Sequence, residues 1–348
     1  MSELVRAAVA AIVDGRTLSL DDARLAMGAV MDGEATPSQL AALLMGLRMR
    51  GETVDELAGF ASAMRERAVR VTAPEGTIDV VGTGGDGSGT FNISTAAALV
   101  VASLGVPVAK HGNRAITSKS GSADVLDALG VRIDHDAASA GAALTELGFA
   151  FLFAPSFHPA MRHAGPTRRE IGVRTAFNLL GPLTNPAGAT RALIGVGVAE
   201  AAPRIAEVAA RLGTERTFVI HGDGVDELPL DDSGVLYHVG PGGISRREIR
   251  ATELGFRRTL TAKLAGGPAD VNAKMVEDVL RGEPSVRRDV VLLNAGAALL
   301  VAGRVDTLEE GIDRAALAVD AGIAGELLGR LRVERRAHEA ATATEGSS

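Results

Sequence analysis

Residues 79–95 read Asp79-Val80-Val81-Gly82-Thr83-Gly84-Gly85-Asp86-Gly87-Ser88-Gly89-Thr90-Phe91-Asn92-Ile93-Ser94-Thr95. The apolar run 78–81 predicts a short buried strand, and the Ala- and Val-rich run 94–104 an apolar helix. Between them, five glycines allow sharp turns and leave backbone N–H groups free of any Cβ, the arrangement that wraps a phosphate. Asn92, Ser94 and Thr95 stand where the helix opens, so hydroxyl and amide donors join its positive end. A plain surface loop with an N-cap is the bland alternative. The buried strand and apolar helix on either side argue against it.

Gly82 to Gly87 also fits G-x-G-x-x-G. A dinucleotide fold wants the helix to open on the third glycine, and an acid about twenty positions on. Here the loop runs on past Gly87 and the next strand ends in Lys110, so a nicotinamide dehydrogenase is set aside. The Gly-Lys-Ser/Thr ending of a P-loop is missing as well.

Outward from this segment the chain alternates. A strand over 106–109 ends in Lys110-His111-Gly112-Asn113-Arg114, followed by a loop to Gly121 and a helix 122–129 capped by Ser122. Two neighbouring strand ends thus bring a glycine loop and a cluster of cations and hydroxyls to one edge. Lys110, Arg114 and Lys119 suit phosphate, although each taken alone reads equally well as a solvated charge. Strands at 131–133, 149–153, 191–198 and 216–221 alternate with helices at 136–147 and 200–212. That pattern predicts a parallel sheet covered by helices, with ligands at the carboxyl ends of its strands.

The first seventy or so residues are helical throughout. Helices are expected over 4–13, 19–32, 36–51 and 53–71, with Thr36-Pro37 as a cap and proline start and Thr53 to Glu56 as a capping box. They suggest a small bundle that offers a subunit interface. An arginine-rich helical interruption near 159–180 reads as packing back onto it. The end is helical again, at 268–281, 286–302, 307–320 and 322–340, before a small polar tail, 341–348, expected to fray. The fold class is α/β: a helical domain 1–72, joined by part of 159–185, and a larger domain 73–340 with a mainly parallel sheet.

Composition narrows the classes. With 348 residues, 46% hydrophobic and 23% charged, a sizeable core is possible and wholesale disorder is not. No cysteine means no disulfide, thiolate metal site or thiol nucleophile, and fits a reducing compartment. A net charge of −7 argues against gripping nucleic acid by bulk electrostatics. The apolar stretches 96–109 and 290–302 are interrupted and fall short of the roughly 20 residues a bilayer needs. The start, Met1-Ser2-Glu3-Leu4, lacks a signal peptide's basic region and apolar core, so the expected place is the cytoplasm.

Two further features stay open on the residues alone. Asp226-Glu227 is an acidic turn after a strand, among Asp223, Asp231 and Asp232, and such turns are commonly just solvated. Arg162, Arg168, Arg169 and Arg174 crowd one stretch, and any of their forked guanidinium groups could take a carboxylate.

With these segments read, the chain resembles the anthranilate phosphoribosyltransferases of tryptophan synthesis. Four motifs in order carry the resemblance: GTGGDGSGTFNIST at 82–95, KHGNRAITSKSGSADVLDALG at 110–130, HPAMRHAGPTRREIGVRTAFNLLGPLTNPAG at 158–188 and GVDEL at 224–228. It extends from the helical N-terminus to about residue 328. It implies the nucleoside phosphorylase/phosphoribosyltransferase architecture and displacement of pyrophosphate from phosphoribosyl pyrophosphate by the amino group of anthranilate. It also implies a homodimer through the N-terminal helices, with no nucleic acid and no membrane.

By the same resemblance, Gly82, Gly85, Asp86 and Thr90 contact the phosphorylated ribose or pyrophosphate, and Asn92, Ile93, Ser94 and Thr95 cradle phosphate. Lys110, His111, Gly112, Asn113, Arg114, Ala115, Ile116, Thr117, Ser118 and Ser122 complete the sugar-phosphate site. Gly82, Asn113 and Arg168 contact anthranilate. Ser94, Asp226 and Glu227 hold Mg²⁺, with two ions per subunit. His111 is placed to orient the acceptor or simply to hold structure, and His158 and Met161 to line its entry. The aromatic amine is neutral at physiological pH, so no general base is assigned and the burden falls on the leaving group. Where the family commonly runs into Ser and Thr after the acidic pair, this chain has Pro229-Leu230-Asp231-Asp232-Ser233-Gly234. Two rivals are a pyrimidine nucleoside phosphorylase, which would carry Lys-His-Ser at 110–112, and a non-catalytic nucleic-acid-binding relative.

Overall fold

The structure is a computed structural model describing residues 1–115, 119–222 and 224–345. Helices α1 (Glu3–Val13), α2 (Leu20–Met31), α3 (Pro37–Arg50) and α4 (Val54–Glu66) form the N-terminal bundle. Their starts are chemically fixed. Ser19 accepts from the Asp22 N–H at 3.1 Å, while Thr36 with Gln39 and Thr53 with Glu56 close reciprocal capping boxes. Helix α4 stops five residues before the expected Val71. The connector is extended instead, its Val69 and Val71 N–H groups donating to Phe157 O and Pro186 O at 2.8 and 3.1 Å.

The second part begins with β1 (Ile78–Gly82), α5 (Ile93–Ser103), β2 (Val108–Gly112), α6 (Ser122–Ala128), α7 (Ala137–Glu146) and β3 (Phe149–Phe153). Short helices α8 (Ala154–Phe157), α9 (Gly165–Ile171) and α10 (Phe177–Leu180) interrupt it. It resumes with β4 (Arg191–Gly195), α11 (Ala201–Arg211), β5 (Arg216–His221), β6 (Ser233–Gly240) and β7 (Gly243–Arg250). Helices α12 (Ala269–Leu280), α13 (Val286–Val301), α14 (Leu308–Asp320) and α15 (Ile323–Glu345) close the chain.

The sheet runs β3-β2-β1-β4-β5-β6-β7, with β1 to β5 parallel and the last two strands antiparallel. Strand periodicity sorts its side chains. Val80, Leu193 and Phe218 face the core built by α5 and α12 to α15, whereas Val81, Ile194 and Val219 face the core shared with the bundle. From the 159–185 stretch, Ala164, Ala176, Phe177, Leu180 and Leu183 share the core cluster of the bundle. Arg65 Nε holds Leu183 O at 2.6 Å.

Further elements differ from expectation, β4 among them, which ends at Gly195 rather than at 198. Residues 131–133 form no strand, because the Val131 N–H closes the end of α6 on Leu126 O at 2.9 Å and β3 pairs directly with β2. The β6–β7 hairpin was not anticipated. Helix α15 runs on to Glu345, through most of the segment expected to fray.

Strand β1 lies between β2 and β4: the chain runs from β1 to β2 and β3 on one side, then crosses back to β4 on the other. The crevice of such a sheet opens outside the carboxyl ends of these strands.

Candidate active site

A cavity of about 660 Å³ lies in that crevice, lined by 81–95, 110–115, 120–122, Arg174, Asn178, Asp226 and Glu227. Its floor is set by close approach. Gly82 and Gly195 pair across β1 and β4, and Asp226 lies against both. A Cβ on Gly195 would fall 1.6 Å from Asp226 O, and one on Gly82 2.2 Å from Asp226 Oδ2. Only glycine lets the acidic turn descend onto the strand ends.

In the loop above, Gly84, Gly85, Gly87 and Gly89 adopt φ between 62° and 75°, the left-handed region that favours glycine. Thr83 N donates to Gly195 O at 2.9 Å. Gly84 N donates to Asp226 Oδ2 at 2.9 Å, and Asp86 accepts from the Ser88 N–H and hydroxyl at 3.1 and 2.8 Å. Thr90, beside Ser88 at 3.2 Å, forms a bridge with Ala265 that fastens the loop's far end. Ile93 is buried in the core, so only its main chain can serve a ligand.

Asp226 and Glu227 are adjacent carboxylates with little to neutralise them. Glu227 is buried, accepts the Ser94 N–H at 3.1 Å, and is held well above the usual carboxylate range by burial and by Asp226. Asp226 is raised to about 6 by burial and by nearby Asp86. Lys110, also buried, donates from Nζ to Val80 O at 2.6 Å and to Ser94 Oγ at 3.4 Å. Burial pushes it below the ordinary lysine range, opposed by Asp79, Glu227 and Asp226.

Asp79 was not singled out from the sequence. It is buried inside β1, accepts from Asn185 Nδ2 at 2.7 Å and His111 N at 3.3 Å, and is raised to about 6 by burial. An acid within an otherwise apolar strand was the available signal.

His111 Nδ1 donates to Gly181 O at 3.2 Å, and burial with neighbouring His158 lowers the ring to about 3. Its Nε2, like that of His158, has no hydrogen-bond partner, and the ring centroids are 5.1 Å apart. Two neutral histidines thus sit side by side. Thr95 Oγ1 is buried without a partner as well.

Several expectations change at this level. Asn92 stands at the N-cap of α5 but makes no capping bond, because its Oδ1 accepts from Asn272 at 2.9 Å. Ser122 is the first residue of α6 rather than its cap. Gly121 holds the cap position, and Ser122 Oγ donates to Asn113 O at 3.4 Å. Arg114 turns its guanidinium to Asp124 at 2.9 Å and Asp127 at 3.3 Å, so its charge is already paired. Asp124 also accepts the N–H groups of Ala115 and Gly121, both at 2.9 Å, pinning the ends of the loop between them. Asn113 is exposed at the rim, and Gly112 gives room for Ser122 Oγ, 2.4 Å from where a Cβ would stand.

Among the four arginines, Arg174 lines the cavity and donates to Gly84 O and Gly85 O at 3.1 and 2.6 Å. Arg168 stacks over Phe177, 4.7 Å from the ring centroid, and with His158 and Met161 lies outside the cavity lining. Ile116, Thr117, Ser118 and Asp223 lie outside the described residues.

A helical bundle joined to an α/β sheet, with a glycine-rich loop lining a cavity at its switch point, defines a glycosyltransferase class. Residues 6–68 match the glycosyl transferase family helical bundle domain, and residues 74–325 its a/b domain. Within that class, the chain belongs to the anthranilate phosphoribosyltransferase family. It is 50% identical to the anthranilate phosphoribosyltransferase of Rhodopseudomonas palustris over 327 residues, 94% of this chain and 97% of the relative. The enzyme of that name from Thermus thermophilus superposes with a TM-score of 0.90 at 45% identity, covering 94% of this chain and 99% of its own. That from Saccharomyces cerevisiae, in complex with PRPP and Mg, gives 0.88 at 26% identity, covering 97% and 99%.

Proposed function

We propose that this chain transfers the phosphoribosyl group of phosphoribosyl pyrophosphate to the amino group of anthranilate, releasing pyrophosphate. The observation that carries the reading is the close approach of Asp226 to Gly82 and Gly195, with Glu227 beside it, beneath a glycine loop facing a cavity of about 660 Å³. The loop's N–H groups and the opening of α5 bind and orient the phosphorylated ends of the donor. In the transfer, the C1–O bond to pyrophosphate breaks, the amine nitrogen bonds C1, and the amine then gives up one proton. His111, neutral and weakly basic, suits acceptance of a hydrogen bond better than proton abstraction. The load is therefore leaving-group stabilisation and alignment.

Magnesium fits the donor set. Among the described residues no three His, Asp or Glu side chains converge as a closed metal cage. Mg²⁺ asks for no such cage, since it takes one or two carboxylates and completes its octahedron with phosphate oxygens and water. Burial and mutual repulsion disfavour charge on both carboxylates, a cost that a bound cation would relieve. We assign Asp226, Glu227 and Ser94 to hold it, with two ions per subunit; bound there, it would neutralise the departing pyrophosphate.

The remaining roles assigned to residues 82–95, 110–118 and 122, and the acceptor contacts of Gly82, Asn113 and Arg168, are part of this proposal. Exposed Leu4, Val13, Leu25 and Met49 on the bundle support a homodimer through these helices, which sedimentation at micromolar concentration would test. Among the described residues no helix is long and apolar enough to cross a membrane, and we place the reaction in the cytoplasm. The reading predicts pyrophosphate release that requires both anthranilate and the sugar donor. Release without anthranilate, or none with both present, would overturn it.

A further inference from the structure

Asn272, in the first turn of α12, was not singled out by the sequence, yet it joins three segments around the cavity. It is 2% exposed, so its amide must be satisfied within the protein. Its Oδ1 accepts the Gly267 N–H at 2.7 Å; its Nδ2 lies 2.9 Å from Asn92 Oδ1 and 2.8 Å from Ser120 Oγ. Gly266 fits between Asn272 Oδ1 and Phe91, with a Cβ there 2.8 Å from each. The hub is therefore packed to one geometry.

The orientation of these amides follows from donor and acceptor logic. A backbone N–H can only donate, so Asn272 must present oxygen to Gly267 and its NH₂ to the other side. An NH₂ at 2.9 Å requires an acceptor, so Asn92 must present Oδ1 to Asn272. The NH₂ of Asn92 is then directed away from Asn272, on a residue that lines the cavity beside the glycine loop. We propose that Asn272 is a positioning residue: through this relay it fixes the Asn92 amide with its NH₂ toward the cavity, to donate to an anionic oxygen of the phosphorylated donor. The inference rests on the donor-binding reading of residues 82–95.

Asn272→Asp tests it with little change in shape. The carboxylate still accepts from Gly267 but cannot donate to Asn92, whose amide then turns its NH₂ to residue 272 and its oxygen to the cavity. An acceptor replaces a donor opposite an anion. The KM for phosphoribosyl pyrophosphate should rise about 10- to 100-fold, the range of one lost charge-assisted hydrogen bond, while kcat and the KM for anthranilate change less than about threefold. In an Asn92→Ala background the same substitution should add almost nothing. A merely structural Asn272 would lower Tm and disturb kcat and both KM values together, with independent effects in the double variant, and either result would overturn the proposal.

If Asn272→Asp fails to fold, the unmodified protein carries the test. The Asn92 side-chain NH₂ resonance, assigned by its loss in Asn92→Asp, should shift on addition of Mg²⁺ and inorganic pyrophosphate or of the sugar donor. No shift with either ligand bound would overturn it. Absent turnover by the unmodified enzyme would instead count against the activity, which separates the two failures.

Discussion

The two ends of one sheet treat charge in opposite ways. On the β1–β2 side, Asp79 within β1, Lys110 of β2 and Glu227 of the acidic turn are buried, and the raised carboxylates have no equal number of cations beside them. At the far edge, β7 carries Arg246, Arg247, Glu248 and Arg250 into solvent, where long charged side chains shield an unpaired strand edge. Charge costs little in the second setting and much in the first. The contrast locates function: buried, under-neutralised charge beside a cavity is tolerated for ligand chemistry, whereas exposed charge needs no such reason.

That contrast is most vulnerable at the acidic pair. Replacing Asp226 and Glu227 together by Ala should lower Mg²⁺-dependent turnover by about a thousandfold or more, read as initial rate. Retained activity would move the metal site elsewhere. Next comes Gly195→Ala, whose Cβ would stand 1.6 Å from Asp226 O. Displacing the turn should cost about a hundredfold in turnover, with far-UV circular dichroism preserved.

The pH dependence probes the same buried charge. Asp226 is raised to about 6, and a metal needs its deprotonated form, so binding releases a proton in the range near that value. Mg²⁺ affinity measured by calorimetry should therefore fall as pH falls, by about tenfold from pH 7 to 5 for this group alone, with raised Glu227 acting in the same direction. A flat profile would contradict the environment described. Arg174→Ala frees the Gly84 and Gly85 carbonyls and should raise the donor KM by about tenfold or less, with a smaller effect on anthranilate. Finally, Arg246→Ser on the exposed hairpin should leave rate and Tm unchanged within error.

Much of this was legible in the sequence because local chemistry and tertiary structure agree there. The Thr36 cap of α3, the capping box of α4 and the buried strands β1, β3 and β5 read directly. The glycine loop marked one wall of the cavity, and the motifs pointed to the acidic pair that lines it. What escaped depends on distant neighbours. Gly195 reads as the interior of a strand over 191–198 until Asp226 is seen against it. Asn92 reads as a helix cap until Asn272, far along the chain, takes its oxygen. Val131 to Ile133 has strand character, but α6 uses the Val131 N–H. The outer hairpin, with most of β7 exposed and charged, lacks the apolar alternation by which strands are recognised. Arg114 suits phosphate by type, yet Asp124 and Asp127 already hold it.

The most direct test follows anthranilate fluorescence in the presence of the protein, phosphoribosyl pyrophosphate and Mg²⁺. A steady loss of signal that requires all three, and that disappears when Asp226 and Glu227 are replaced, is the expected result. An unchanged signal with the intact protein would contradict the proposed transfer.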